Sequence, residues 1–357
     1  MPLLKFVRSH PVFILILGFG LVSLIFGILV FNNSDWGDWY YSRIYIPMNL
    51  GLHKVLEFSS APMYLVLLFI LFIFIIGGLL SIGGHSWKMK VTQSFMYLSS
   101  SLIFIACMFY WMWGFNYGRT PLSDSFFQRE FVTIDTAEFK RRWALQTHRV
   151  NTLRKRVVIP ESGDNMAFQY TRIFRLTAEK LPIFFGLDTR LQPRCKEFIP
   201  QGGLLRLNTA GFYFPLGLES YVDRALHPSQ KPAVIAHELA HGYGVTDEGE
   251  ANFVGYILCQ SSGDPLAQYS SALMLWLYMA SDGRRLDPEF SQSMWDNLSP
   301  EVWIDLDERR QLDERYPEFM PQMRDAIYDS YLSMNRVEGG LKSYNRFVTM
   351  VLTYERQ

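Results

Sequence analysis

Two histidines four residues apart, His237 and His241, with Glu238 following the first, form H-E-x-x-H inside the stretch AVIAHELAHGYGVTDEGEANFVGY (233–256). On a helix, positions i and i+4 share a face, so both imidazoles can reach one ion. Glu238 is placed to contact water held by that ion rather than to ligate it. The chemistry this spacing offers is metal-assisted hydrolysis. Five residues alone are a weak pattern, and a third ligand decides its weight.

Gly242 and Gly244 allow the chain to reverse, and TDEGEANFVGY then starts a second helix that can fold back beside the first. Glu248 and Glu250 compete for the third position. Asp247 and Glu250 have the D-x-x-E spacing of an N-terminal capping box, which gives Glu250 a structural task. Glu248 shares a face with Ala251, Asn252 and Gly255, whose small members permit close packing. Glu248 is therefore assigned as the ligand. Asn252 is expected beyond it, its amide oxygen accepting an N–H from a ligating imidazole and so setting the tautomer.

Helices must position these groups. Apolar periodicity predicts them over 136–155, 165–182, 231–242, 248–261 and 265–281, and near 300–314, 320–334 and 340–355. Strand signals are few: LLRLN (204–208) and GFYFP (211–215). Residues 116–357 thus read as a mostly helical domain with a small β-sheet. The basic run 139–158 reads as a solvated helix face, and the mixed-charge run 305–318 as an exposed helix with i,i+4 pairs.

Residues 1–115 are of another kind. The chain is 49% apolar and 16% aromatic, and most of that excess lies before residue 116. Uncharged runs at 11–31, 62–80 and 94–114 each reach the roughly 20 residues that span a bilayer. Three N-terminal transmembrane helices are predicted, the first an uncleaved anchor. Trp36, Trp39, Tyr40, Tyr41, Trp111 and Trp113 suit an interfacial belt. Lys5, Arg8, Lys88 and Lys90 fall on one side, which predicts a cytoplasmic amino terminus and an extracytoplasmic C-terminal domain in a multi-pass protein of the bacterial cytoplasmic membrane. Net charge is zero, so nothing points to nucleic acid. Cys107 lies in a span; Cys195 and Cys259 are expected to be two unrelated buried thiols.

H-E-x-x-H followed by E-x-x-A-N on a second helix resembles the gluzincin group of zinc metallopeptidases, membrane-embedded CAAX-processing peptidases among them. The resemblance implies a zincin-like domain with His237, His241 and Glu248 as zinc ligands and Glu238 as catalytic base. Asn252 stands where many relatives carry Asp. A wider resemblance takes in the three spans, WGFNYGRTPL (113–122), AGFYFPLGLE (210–219), the metal motif and YDSYLSMNRVEGGLKSYNR (328–346). Together they are similar to a bacterial membrane family catalogued as a domain of unknown function.

Two imidazoles and one carboxylate leave a fourth zinc position open, the arrangement of catalytic sites. The expected activity is hydrolysis of peptide bonds in a peptide or protein substrate, with Glu238 as general base. Strand GFYFP, with Tyr213 and Glu219 nearby, can pair with an extended substrate. Tyr328, Tyr331 and Tyr344 are candidate oxyanion donors. The competing class is a membrane sensor or scaffold whose metal domain binds a partner without hydrolysis. A transporter is disfavoured because the spans carry no charge.

Overall fold

Twenty-two residues without a charge, Pro11–Asn32, form helix α1 in the computed structural model of the chain, which describes residues 11–56, 61–81, 87–127, 135–160, 165–181, 185–319 and 345–356. Short α2 (Ser34–Tyr40) follows, capped by the Asn33 side chain, then a π-turn and α3 (Ile46–Leu56). Helices α4 (Met63–Ser81) and α5 (Trp87–Met112) complete this part.

The chain divides into two compact units: Met1–Thr120 with Phe214–Gly217, and Pro121–Tyr213 with Leu218–Gln357. In the first unit two helical stretches, Pro11–Asn32 and Lys90–Met112, are long and apolar enough to cross a membrane. Three were expected. The expected span 62–80 coincides with the 19-residue α4, which is not one of those two. Only Ser23, Gly27 and Val30 of α1 are buried, while Val12, Leu15, Leu21, Leu24 and Ile28 are exposed. So much bare apolar surface belongs in lipid rather than water.

The aromatic belt is narrower than expected. Trp36 and Trp39 stay exposed, but Tyr40, Tyr41 and Trp113 are buried. Tyr40 packs into a ring cluster around Phe26 of α1, which stacks on Trp111 at 4.9 Å and meets Phe115 edge-on at 5.0 Å, while Tyr41 stacks on Tyr45 and Trp113 meets Phe109 and Tyr117. Trp111 Nε1 also donates to Ser23 Oγ at 2.9 Å.

The second unit holds helices α6 (Leu122–Phe127), α7 (Thr136–Arg154), α8 (Met166–Lys180), α9 (Lys231–Gly242), α10 (Glu248–Ser261), α11 (Pro265–Leu286), α12 (Pro288–Asp296), α13 (Pro300–Arg315) and α14 (Asn345–Tyr354). Their starts are written locally. Asp135, Asp264 and Asp287 each accept a backbone N–H from the residue three further on, and Pro265, Pro288 and Pro300 occupy first-turn positions where no N–H is needed. The predicted helix near 320–334 lies outside the described residues. Helix α12 was not expected.

The sheet has three strands, β1 (Arg194–Phe198), β2 (Gly211–Phe214) and β3 (Glu219–Asp223), in the order β1-β3-β2. Strands β1 and β3 run parallel, with Arg194 opposite Glu219 and Phe198 opposite Asp223. The expected strand 204–208 is instead a 3-10 turn, Leu205–Leu207. Its backbone curls because the buried Asp223 carboxylate collects the N–H groups of Gly202, Leu204 and Leu205. Asn208 then leaves the turn in the left-handed region at φ 51°.

The basic run is also more than a solvated face. Arg154 pairs with the buried Asp305 at 2.6 Å, and Arg149 holds Glu355, Tyr256 and Gln260. The run 305–318 keeps its expected exposed pairs at Arg310, but its first residue, Asp305, is a buried acceptor for Arg154 and Tyr269. Cys195 and Cys259 are buried free thiols.

Candidate metal centre

Pro232 opens α9 and Tyr243 caps it; Gly244, at φ +95°, reverses the chain so that α10 returns alongside. The two helices approach closely because small residues line their seam. A β-carbon at Gly255 would stand 2.9 Å from the backbone nitrogen of His237 and 3.2 Å from the carbonyl carbon of Ala236. Ala236, Ala240 and Ala251 are fully buried in the same region.

That approach brings His237, His241 and Glu248 together, with one donor atom from each lying within 4.8 Å of the others. The two Nε2 atoms are 3.1 Å apart, and Glu248 Oε2 lies 3.2 Å from His237 Nε2 and 3.8 Å from His241 Nε2. Bonds of about 2.0–2.2 Å in a tetrahedron place neighbouring zinc donors about 3.3–3.6 Å apart. The observed separations bracket that range.

The proton count agrees. His241 Nδ1 lies 2.8 Å from the Val245 carbonyl, which can only accept, so Nδ1 carries the hydrogen. His237 Nδ1 faces Asn252 Oδ1 at 2.9 Å, and the same amide gives its N–H to Tyr278 Oη at 3.2 Å. In the neutral rings both Nε2 lone pairs therefore point at each other and at a carboxylate. Three acceptors facing one another call for a cation between them, a proton or a metal ion.

The electrostatics follow from the same crowding. Burial would lower His241, but Glu248 and then Glu238 outweigh it and hold the imidazole up to about 9. Burial would likewise raise Glu248, yet the hydrogen bonds that both imidazoles make to it when their Nε2 atoms are protonated hold it well below the ordinary carboxylate range. Glu238 is pushed up to about 7 by burial, opposed by the two imidazoles and aided by Glu248.

Glu238 is 4% exposed, and its Oε2 has no hydrogen-bond partner among the described residues. It fits only because strand β2 starts with glycine. A β-carbon on Gly211 would meet Glu238 Oε1 at 2.7 Å. On the inner face of the sheet, Ser220 Oγ donates to the Glu238 carbonyl at 2.8 Å and ties β3 to α9.

Glu250 is elsewhere. It is buried, and its Oε1 accepts the Ser123 backbone N–H at 3.0 Å and lies 3.7 Å from Arg346. Asp247 does cap Glu250 N at 2.9 Å, but the reciprocal half of the expected box is replaced by this bond to α6. Glu219 does not reach toward a substrate either. It is buried on the outer sheet face beside Lys196 at 2.7 Å and Arg194 at 3.3 Å, with the Tyr221 hydroxyl donating to it. Tyr213 is half-buried on β2. Tyr328, Tyr331 and Tyr344 lie outside the described residues.

Sequence reasoning missed Gly211 and Tyr278. Nothing local marks either: one stands 27 residues before Glu238 and the other 26 after Asn252.

No curated protein and no solved structure matches the chain. A family described as "Protein of unknown function (DUF3810)" matches residues 40–352, which start after α1 and take in the sheet and the whole of the His237–Glu248 constellation, and the chain belongs to that family.

Proposed function

We propose that the chain is a membrane-anchored, zinc-dependent peptidase whose substrate is a peptide or protein. The observation that carries this is the convergence of two imidazoles and one carboxylate beside a buried glutamate whose Oε2 has no hydrogen-bond partner among the described residues. Three protein donors, the number that meet among the described residues, is the pattern of a catalytic zinc site. His237 and Glu248 keep 14% and 19% of their side chains exposed, so solvent and substrate can reach the centre.

Zinc bound there supplies Lewis acidity and lowers the pKa of its water to about 7. The remaining work falls to the chain. Glu238 accepts a proton at Oε2 from the attacking water, whose oxygen bonds to the scissile carbonyl carbon, and delivers it to the amine nitrogen as the C–N bond breaks. Asn252 and the Val245 carbonyl hold the imidazoles in the required tautomer. Strand β2, which begins beside Glu238 and is outermost in the sheet order, supports an extended substrate backbone.

Metal analysis of the purified full chain tests the proposal. About one equivalent of zinc is expected in wild type and less than half of that in His237→Ala. Less than half an equivalent in wild type, unaltered by the substitution, would falsify it.

We further propose that α4 is a third span and that the second unit is extracytoplasmic in a bacterial cytoplasmic membrane. The support is the uncharged sequence of 62–80 and the basic residues at 5, 8, 88 and 90. A membrane-impermeant thiol reagent should label a cysteine introduced at the exposed Val158 in intact spheroplasts. Labelling only after lysis would reverse the topology.

A further inference from the structure

We propose that Tyr278 is a positioning residue for this centre: its hydroxyl holds the Asn252 amide in the one orientation that keeps the His237 Nε2 lone pair available to a metal. This rests on the zinc site proposed above and extends it one contact outward, onto a third helix.

The two imidazoles are oriented by unlike devices. His241 answers to a backbone carbonyl, which offers an acceptor and nothing else. His237 answers to a primary amide, whose oxygen and nitrogen exchange places on a half-turn at almost no steric cost. With the amide reversed, an NH₂ group would face Nδ1. The ring hydrogen would then move to Nε2, 3.1 Å from His241 Nε2 and 3.2 Å from Glu248 Oε2. It would occupy the lone pair that a zinc ion needs. His237 is thus the ligand whose tautomer is conditional.

What decides the amide is its other end. Asn252 is 4% exposed, so bulk water does not compete for its N–H. That N–H goes to Tyr278 Oη at 3.2 Å, across from α10 to α11. The phenol is held from behind by Phe347 of α14, whose ring meets it edge-on at 5.2 Å. Because Oη accepts from Nδ2, the phenol's own hydrogen points away from the amide. An acceptor therefore stands opposite Nδ2, and Oδ1 is left to face His237.

A carboxylate in place of Asn252 has two equivalent oxygens and no wrong face. It needs no orienting hydroxyl, and this separates hydrogen bonding from packing. Zinc affinity would be measured by chelator competition on the detergent-purified full chain for wild type, Y278F, N252D and the double variant, with the visible spectrum of the cobalt-substituted forms as a second readout. Y278F is expected to weaken zinc binding by about 10–100-fold, as loss of an outer partner of a ligand does. In the N252D background the same substitution should change affinity by no more than about twofold, the scatter of uncoupled sites. The cobalt band of Y278F should shift, and N252D should restore it.

Wild-type affinity in Y278F overturns the assignment. So do equal losses in both backgrounds, which would make Tyr278 a packing partner of Phe347 only. Wild type without zinc is a different failure: it removes the metal site itself, and this assignment with it.

Discussion

Glu238→Gln is expected to keep zinc at the wild-type level and to lower peptide turnover by about 10²–10⁴-fold, the usual contribution of a positioned general base. Glutamine has the shape of glutamate, so it fits the space that Gly211 leaves at 2.7 Å from Oε1. It cannot accept a proton. Zinc retention follows because the donor cluster consists of His237, His241 and Glu248, with Glu238 outside it. Stability should not fall, since the change removes a buried carboxylate whose ionisation burial already opposes. Zinc content and cleavage of a fluorogenic peptide library, measured on the same preparation, check both halves. Undiminished turnover would take Glu238 out of the mechanism, and zinc lost together with activity would make it a ligand or a structural prop.

The parts of the centre legible in the sequence are those fixed by local geometry. The facing of His237 and His241 follows from helical repeat alone, and Glu248 separates from Glu250 because Asp247 marks where α10 begins. Small residues at 251 and 255 announce a tight seam before any contact is seen. What stayed hidden depends on partners distant in the chain. LLRLN has the composition of a strand, yet Asp223, fifteen or more positions later, draws its backbone into a turn. Strand β3 shows no apolar alternation because both of its faces are buried, with Glu219, Ser220 and Asp223 each satisfied by a specific partner. Arg149 and Arg154 look like any other solvated cations until Glu355 and Asp305 arrive beside them. Helix α12 is a different case. Its Asp287–Pro288 start was a readable signal, obscured by its short length and mixed composition.

Gly255→Val tests the seam that brings the donors together, and it should cost both stability and metal. Valine is a better helix former than glycine by a few tenths of a kcal/mol, so propensity alone predicts a small gain. Packing predicts the opposite. The first added carbon already lies 2.9 Å from a backbone nitrogen of α9, and backbone cannot swing aside as a long side chain can. Overpacking of this kind costs about 1–3 kcal/mol. In a unit of this size that lowers the unfolding midpoint by roughly 2–4 °C per kcal/mol. The strain is relieved by moving α10 away from α9, which carries Glu248 and Asn252 off His237 together. Zinc affinity should therefore fall by at least the 10–100-fold expected when one outer partner of a ligand is lost. Thermal unfolding with and without a chelator reads both effects, because bound metal stabilises the folded chain by about 4 kcal/mol at a thousandfold excess over Kd. Wild type should lose that increment on chelation, whereas Gly255→Val should start lower and lose at most about 2.7 kcal/mol at the same zinc concentration. A variant that unfolds and binds zinc like wild type would mean that the two helices need not touch at Gly255 for the three donors to meet.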